Sequence, residues 1–325
     1  SNLDYIFISH EHPDHFSIPT LLDLPKTCTF LFQETKDKKV KNFLESKGHS
    51  VIELKHKEVT KISDLEITCV VCDGYDSSLL VRYPDGKVLL NINDARVELN
   101  SHLENELLPL LKGKTVDLLA FQFSYANWAG NKGDRDIPRY LQNLQDKRND
   151  EVISKVSPKA ILPFASFVYF SHEENFFWNE NNWIEHVFKK YSSIKSTLIF
   201  PIPNQSVNLN DVKKIQYTEA NISALEFWKQ KHENLNIKDK IQSKSLDKIK
   251  ESYLLFNESL NKKNTILQDV KNGEDVFLTL KILDLDTTIK VGLKESSFDV
   301  VDEAESISVS SETAVFLFTQ LFARG

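Results

Sequence analysis

Residues 10–15 read His-Glu-His-Pro-Asp-His, which puts three imidazoles and a carboxylate within six residues. They follow directly on Tyr5–Ser9, a short apolar run that reads as a strand. Donors spaced this closely on a loop leaving a strand end can face one concavity and divide between two cations. Imidazole nitrogen suits zinc or iron, and the carboxylate adds a hard oxygen. The residue order and the strand in front of it match a two-metal site better than a solvated histidine-rich loop. His10, His12, Asp14 and His15 are therefore the first candidate ligands.

The rest of the chain offers a scaffold for such a site. After Leu21–Leu24 and Cys28–Phe32, an amphipathic stretch at Lys36–Lys47 stops at Gly48, as a helix often does. Strand-like runs follow at Val51–Leu54, Leu65–Cys72, Leu79–Tyr83 and Val88–Ile92, with Pro84-Asp85-Gly86 as a hairpin turn. The pattern then alternates: a helix near Asn100–Leu111, a buried strand at Val116–Phe121, a polar helix to about Val156 and a strand at Ala160–Pro163. That alternation predicts an α/β layered domain over residues 1–212. From there the character changes. Thr218–Asn264 carries Lys and Glu among apolar residues at helical spacing, and Val276–Leu293 reads as a β-hairpin. Ser306–Val309 reads as a strand, and Ser311 is placed to cap a closing helix. Residues 213–325 are expected to form a smaller α+β accessory unit.

Composition narrows the class. With 325 residues, 41% hydrophobic and 27% charged, the chain has ordinary globular values and ample core. A net charge of −7, with lysines scattered or in mixed-charge stretches, gives no footprint for nucleic acid. No apolar run reaches the length of a membrane span and no secretory signal is visible, so a cytoplasmic setting is expected. Three cysteines do not read as a disulfide framework. Cys69 and Cys72 sit three apart on a predicted strand, on opposite faces, and so do not share a metal.

With its H-x-H-x-D-H motif behind a strand, the sequence resembles the metallo-β-lactamase superfamily. That resemblance implies an αββα sandwich with two metals at the edge between its sheets, and further strands ahead of residue 1. Carried onto this sequence, it gives His10 and His12 to one metal, Asp14 and His15 to the other, Asp94 as the carboxylate bridging both, and His172 as the closing histidine. Asp14 and Asp94 are accordingly the candidate catalytic carboxylates. The family's third histidine for the first metal has no good match, because His49 and His56 fall in a polar helix-to-strand segment. Asp76, or less favourably Asp73, stands in its place before the strand leading to Asp94. A carboxylate there hardens the site and favours iron or manganese over zinc.

The phrases Asp73-Gly74-Tyr75-Asp76-Ser77-Ser78, Asn91-Ile92-Asn93-Asp94 and Pro163-Phe164-Ala165 resemble the superfamily branch that contains CMP-N-acetylneuraminate hydroxylase and its bacterial relatives, over roughly the first 200 residues. The Rieske Cys/His pattern of that hydroxylase is not present. Two chemistries stay open. In one, a di-iron pair activates O₂ for insertion into a C–H or N–H bond of a polar or anionic metabolite, with electrons from a donor protein; the carboxylate-for-histidine change leans this way. In the other, two divalent cations acidify a water that attacks an ester, lactone, amide or phosphodiester. A third possibility is a metal-bearing scaffold that binds a partner through its C-terminal unit. The loop after the strand at Val116–Phe121 offers Tyr125, Asn127, Trp128, Lys132 and Arg135 as candidate substrate contacts. The aromatics Phe167, Tyr169, Phe170, Phe176, Phe177 and Trp178 read as core packing rather than a binding cage.

Overall fold

The computed structural model of the chain describes residues 3–72, 75–98, 101–125, 130–134, 136–180, 183–212, 214–263, 275–302 and 306–319. Its residues gather into two compact units, one drawn from 1–126, 140–167 and 182–233, the other from 127–139, 168–181 and 234–325.

The first unit contains two sheets. A parallel three-stranded sheet runs β1 (Tyr5–Ile8), β2 (Thr29–Gln33), β3 (Ser50–Leu54). The second sheet has seven strands: β4 (Val59–Ile62), β5 (Leu65–Cys72), β6 (Asp76–Arg82), β7 (Val88–Asn93), β8 (Leu118–Gln122), β9 (Ala160–Ala165) and β10 (Thr197–Leu198), hydrogen-bonded in sequence order. Pairings among β4 to β7 are antiparallel, and those from β7 to β10 are parallel.

The period-2 alternation of strand side chains stacks these sheets into layers. On β2, Leu31 packs in one cluster with Ile67 and Cys69 of β5 and Leu79 and Val81 of β6, so the two sheets face each other. The neighbouring residues Phe30 and Phe32 turn the other way, onto Leu21 of α1 (Ile18–Asp23) and Val40 and Leu44 of α2 (Lys39–Ser46). The far face of the large sheet presents Val70, Cys72, Leu80, Leu90 and Ile92. It is covered by Leu107 of a π-helical turn (Leu103–Leu107) that leads into α3 (Leu108–Leu111), by Val152 of α4 (Asp136–Val156), by Tyr191 of α5 (Trp183–Ser192) and by Ala224 of α6 (Lys214–Glu233). The order helix, sheet, sheet, helix is the αββα sandwich. Cys69 and Cys72 fall on its opposite faces, and all three cysteines are free.

Local chemistry explains several boundaries. Gly48, at φ +84°, ends α2, with its N–H donating to Glu45 O, a conformation glycine adopts without a Cβ penalty. Gly86, at φ +85°, closes the β6–β7 hairpin, where Tyr83 N donates to Lys87 O.

The stretch expected as one helical region from Thr218 to Asn264 is two helices, α6 and α7 (Leu246–Lys263), which fall in different units. The first unit continues through α6 instead of closing near residue 212, because α6 is tied to the end of the large sheet. Asn221 accepts from Phe200 N and donates to Leu198 O, and Trp228 Nε1 donates to Pro201 O.

The second unit has a sheet ordered β13 (Ser297–Val301), β12 (Thr287–Gly292), β11 (Phe277–Ile282), β14 (Ile307–Val309). Its inner residues Leu280, Ile282, Ile289, Val291 and Val309 pack against Ile249 and Tyr253 of α7 and against Ala314 and Phe318 of α8 (Ser311–Thr319). The cap of α8 is Ser310, one residue before the expected Ser311: its Oγ accepts from Thr313 N. No helix among the described residues is long and apolar enough to cross a membrane.

Candidate metal centre

Three strand ends meet at one edge of the sandwich. β1 delivers Ser9 and His10, β7 delivers Asn93 and Asp94, and β6 begins with Asp76 and Ser77. The exit of β1 is fastened there through Ser9 O, which accepts from Ser77 Oγ at 2.7 Å and from Gln33 Nε2 at 3.4 Å. Asn93 takes φ +48° and the β7–β8 register slips between Asn91 and Asn93. Asparagine tolerates the left-handed region, and a bulge re-aims the residues around it. Asp94 is thereby turned toward the histidine loop.

Among the described residues, one group of donors can hold a metal: His10, His15 and Asp94, with ligand atoms within 4.8 Å of one another. Asp94 Oδ2 stands between the rings, 3.9 Å from His10 Nε2 and 3.3 Å from His15 Nε2. Each ring has a further donor beside the same nitrogen. His12 Nδ1 is 2.8 Å from His10 Nε2, and Asp14 Oδ2 is 3.3 Å from His15 Nε2. The contacts run in the order His12–His10–Asp94–His15–Asp14, and the His10 and His15 rings also lie side by side, 4.2 Å between centroids.

That spacing fits cations. Nitrogen and oxygen donors about 2.0–2.2 Å from a common ion lie roughly 3–3.6 Å apart. The His15 contacts fall in that range. The 2.8 Å His10–His12 separation is that of a hydrogen bond, and the 3.9 Å from His10 to Asp94 lies just beyond the range. His10 is buried and His15 half-buried, while His12 and Asp14, the two ends of that order, are exposed.

Electrostatics reinforce the arrangement. Burial disfavours the charged form of His15, but its hydrogen bond to Asp94 and the charges of Asp94, Asp14 and Asp76 outweigh that, so its pKa stands above the ordinary imidazole value. Burial likewise works against ionised Asp94, yet the hydrogen bond and charge of His15, with His10 behind it, hold the carboxyl below the usual range. The two shifts favour an ionised Asp94 beside a charged His15.

Asp76 meets His10 from the other side. Its Oδ1 is 3.1 Å from His10 Nδ1 and also accepts from Ser77 N at 2.6 Å. In this arrangement it adjoins the back of the ring rather than the Nε2 edge shared by His12 and Asp94. His49 is engaged with Lys26, Nε2 to Nζ at 2.9 Å. His56 accepts from Val71 N through Nδ1. His172 belongs to the second unit, where its Nδ1 accepts from Glu174 N and its Nε2 is 3.6 Å from Glu312. The chain leaves the first unit after Phe167, which stacks on Trp228 at 4.1 Å, before His172 is reached.

Of the expected substrate contacts, Tyr125 lies in the first unit, 5.9 Å from Trp183 between ring centroids, and burial raises its phenol pKa. Lys132 is exposed in the second unit. Asn127, Trp128 and Arg135, like Asp73, lie outside the described residues.

Three residues join the site that the motif does not announce. Ser9 and Asn93 touch the histidine rings from behind. Tyr75, half exposed, sets its ring 5.8 Å from that of His12 and 6.3 Å from that of His10. The only sequence signal for them was adjacency to motif residues.

No family model and no curated protein sequence matches the chain. Solved structures similar to it include CmlA, a diiron beta-hydroxylase from Streptomyces venezuelae (15% identity, 61% of this chain and 43% of that one, TM-score 0.38). Also similar are a possible metal-dependent hydrolase from Veillonella parvula (13%, 62% and 75%, TM-score 0.40) and an isothiocyanate hydrolase from Delia radicum gut bacteria (13%, 63% and 76%, TM-score 0.42). The chain spans less than half the length of the hydroxylase it matches, 43%. Likenesses this distant do not bear on the chemistry, which rests on the donor geometry.

Proposed function

We propose that the chain is a binuclear metalloenzyme whose centre lies at His10, His12, Asp94, His15 and Asp14. The observation that carries this reading is the placement of Asp94 Oδ2 between two imidazole Nε2 atoms, at 3.9 and 3.3 Å, with one further donor beyond each. A carboxylate so placed can bridge two cations, His10 and His12 serving one, His15 and Asp14 the other.

Within that class we favour oxygenase-like chemistry on a polar or anionic metabolite. The donors gathered there are imidazoles (His10, His12, His15) and carboxylates (Asp94, Asp14) with no thiolate, a nitrogen and oxygen set that iron accepts as well as zinc. Iron bound there would supply the activation of dioxygen, whereas zinc would supply Lewis acidity toward a hydrolysable bond. Hydrolysis stands as the second reading for a specific reason: with Asp76 at the back of His10, the hard-oxygen replacement that favoured iron is not among the donors facing Asp94. In either chemistry the protein's own work is the same. The buried sheet edge holds the His10 ring, Asp94 supplies fixed negative charge, and the Tyr75 ring stands beside exposed His12, where a substrate would enter.

Plasma mass spectrometry on protein produced with iron and zinc both supplied, followed by Mössbauer spectroscopy of an iron-57 sample, tests this directly. About two irons per chain with a coupled signature would support the oxygenase reading. Two zincs with iron excluded would move the assignment to a hydrolase, and no bound metal would end both.

A further inference from the structure

Just past the exit of β7, where α4 packs over the large sheet, two guanidiniums share one carboxylate. Glu98, its side chain 12% exposed, meets Arg96 Nε at 3.3 Å and Arg148 Nε at 3.0 Å, both on the same oxygen, Oε1. One negative charge therefore faces two positive ones. Arg148 is 27% exposed. Burial holds its guanidinium below the ordinary pKa, with Glu98 working against that shift and the Arg96 charge adding to it. A cation partly out of water without its own counter-ion is costly, and a second anion offsets that cost. The donors for one are in place. Each arginine engages Glu98 through Nε, and among the described residues neither has a partner at its Nη groups. Those groups form the planar fork that matches two oxygens of a carboxylate or a phosphate.

The trio stands level with the metal centre. Arg96 follows Asp94 by two residues, so their Cα atoms are at most about 7 Å apart. On the neighbouring strand, Phe121 pairs with Asn93, and the next carbonyl, Gln122 O, accepts from Asn149, the residue after Arg148. Both arginines thus lie at the carboxyl ends of parallel strands, where α/β sheets bind their ligands. We propose that Arg96 and Arg148 form an anion subsite beside the metal centre, which takes a carboxylate or phosphate group of the substrate at a distance from the bond that reacts. Its part in catalysis rests on the metal-centre reading above, and it narrows the substrate to an anionic molecule. Glu98 holds the two like charges side by side through their Nε atoms and leaves the outer N–H groups to the ligand.

The test is a titration of the whole chain, stripped of metal on a chelating resin, for wild type, Arg96→Gln, Arg148→Gln and Arg148→Lys. Inorganic phosphate is followed by phosphorus-31 NMR and succinate by calorimetry. Wild type is expected to bind at least one of the two in the millimolar range, and the tighter of them tells a phosphate-bearing substrate from a carboxylate-bearing one. Either change to glutamine should weaken that binding about 10-fold or more, as loss of a charge-assisted hydrogen bond does. Arg148→Lys, which keeps the charge and loses the fork, should recover only part of it. A trio that is a salt bridge and nothing else would bind neither anion. Wild type that binds neither, or folded glutamine variants that bind as tightly as wild type, would overturn the inference. Should those variants fail to fold, the arginine Nε–H resonances of wild type decide, and none that moves with added phosphate or succinate would overturn it equally. Because the titrated chain holds no metal, anion binding in a chain that takes up neither zinc nor iron(II) would end the metal-centre reading and leave the two arginines as an anion site. Metal uptake without anion binding would end this inference alone.

Discussion

Single side chains should separate the two halves of the centre. His12 stands at only one end of that order of contacts, 2.8 Å from His10 Nε2, whereas Asp94 Oδ2 is near both rings. His12→Ala is therefore expected to leave about one metal per chain after dialysis and Asp94→Ala almost none, since loss of a bridging ligand withdraws a donor from both ions. Elemental analysis of the two variants checks this, and equal loss in both would dissolve the distinction. The motif made His10, His12, Asp14 and His15 legible as neighbours because they lie within six residues of one another. Asp94 could be read because it closes a strand. Ser9, Asn93 and Tyr75 could not, because their part in the site depends on which strands become neighbours. Asp76 stands beside His10, at Nδ1, and that side of the ring was hidden: residue spacing says which side chains approach, not which nitrogen of an imidazole they meet.

At the level of elements, the start of α8 shows how a helix end gathers charge. Three carboxylates converge on its first turn. Glu174 Oε2 accepts from Ser310 Oγ and Thr313 Oγ1 at 2.6 and 2.5 Å; Asp284 accepts from Ser311 N and Oγ at 2.7 and 2.6 Å; and Glu312, in the turn itself, accepts from Gln242 N at 2.7 Å. The unpaired N–H groups and the dipole of a helix N-terminus favour such anions. For Asp284, desolvation acts to raise its pKa, but the hydrogen bonds from Ser311 and Ser243 outweigh that and leave it below the ordinary carboxylate value. A folded-state pKa below the unfolded one means that the stabilisation is fully present above the unfolded value, about 3.9, and is lost as the pH falls through the lower folded value. Asp284 is exposed and solvent screens its charge, so Asp284→Asn should cost only about 0.5 kcal/mol at pH 7, and the gap to wild type in chemical denaturation should close as the pH falls below about 4. A gap that persisted in acid would show that shape, not charge, is what Asp284 contributes. The closing helix and the β11–β12 hairpin were legible from periodicity and β-branching. The single helical stretch foreseen from Thr218 to Asn264 was not divided correctly, because helical spacing continues into both α6 and α7 and carries no mark of which core each will join. The joining contacts, Asn221 to the β10 end and Tyr253 Oη donating to Gly292 O, are long-range.

For the whole molecule, the consequence of two compact units with separate buried clusters is that a ligand of one need not stabilise the other. The proposed ligands His10, His12, Asp14, His15 and Asp94 all lie within the first unit, which also holds the clusters built on β1 to β10. The second unit is built on the cluster of Leu280, Ile289 and Tyr253. Metal that binds the folded first unit and not its unfolded chain adds stability by mass action, about 2.7 kcal/mol when free metal is 100 times its dissociation constant. Chelation should remove that increment from the first unit only. Hydrogen exchange read by mass spectrometry would then show amides of β1, β2 and β7 exchanging faster in chelator by roughly the factor of 100 that this energy represents, while amides of β11 and β12 keep their rates. Equal acceleration in both sets would mean that the units open as one cooperative body, and the metal would then support the fold as a whole. No change in either set, in protein shown to carry metal beforehand, would mean that these amides exchange through local openings that leave the metal site intact, so that the stabilisation is not read at them.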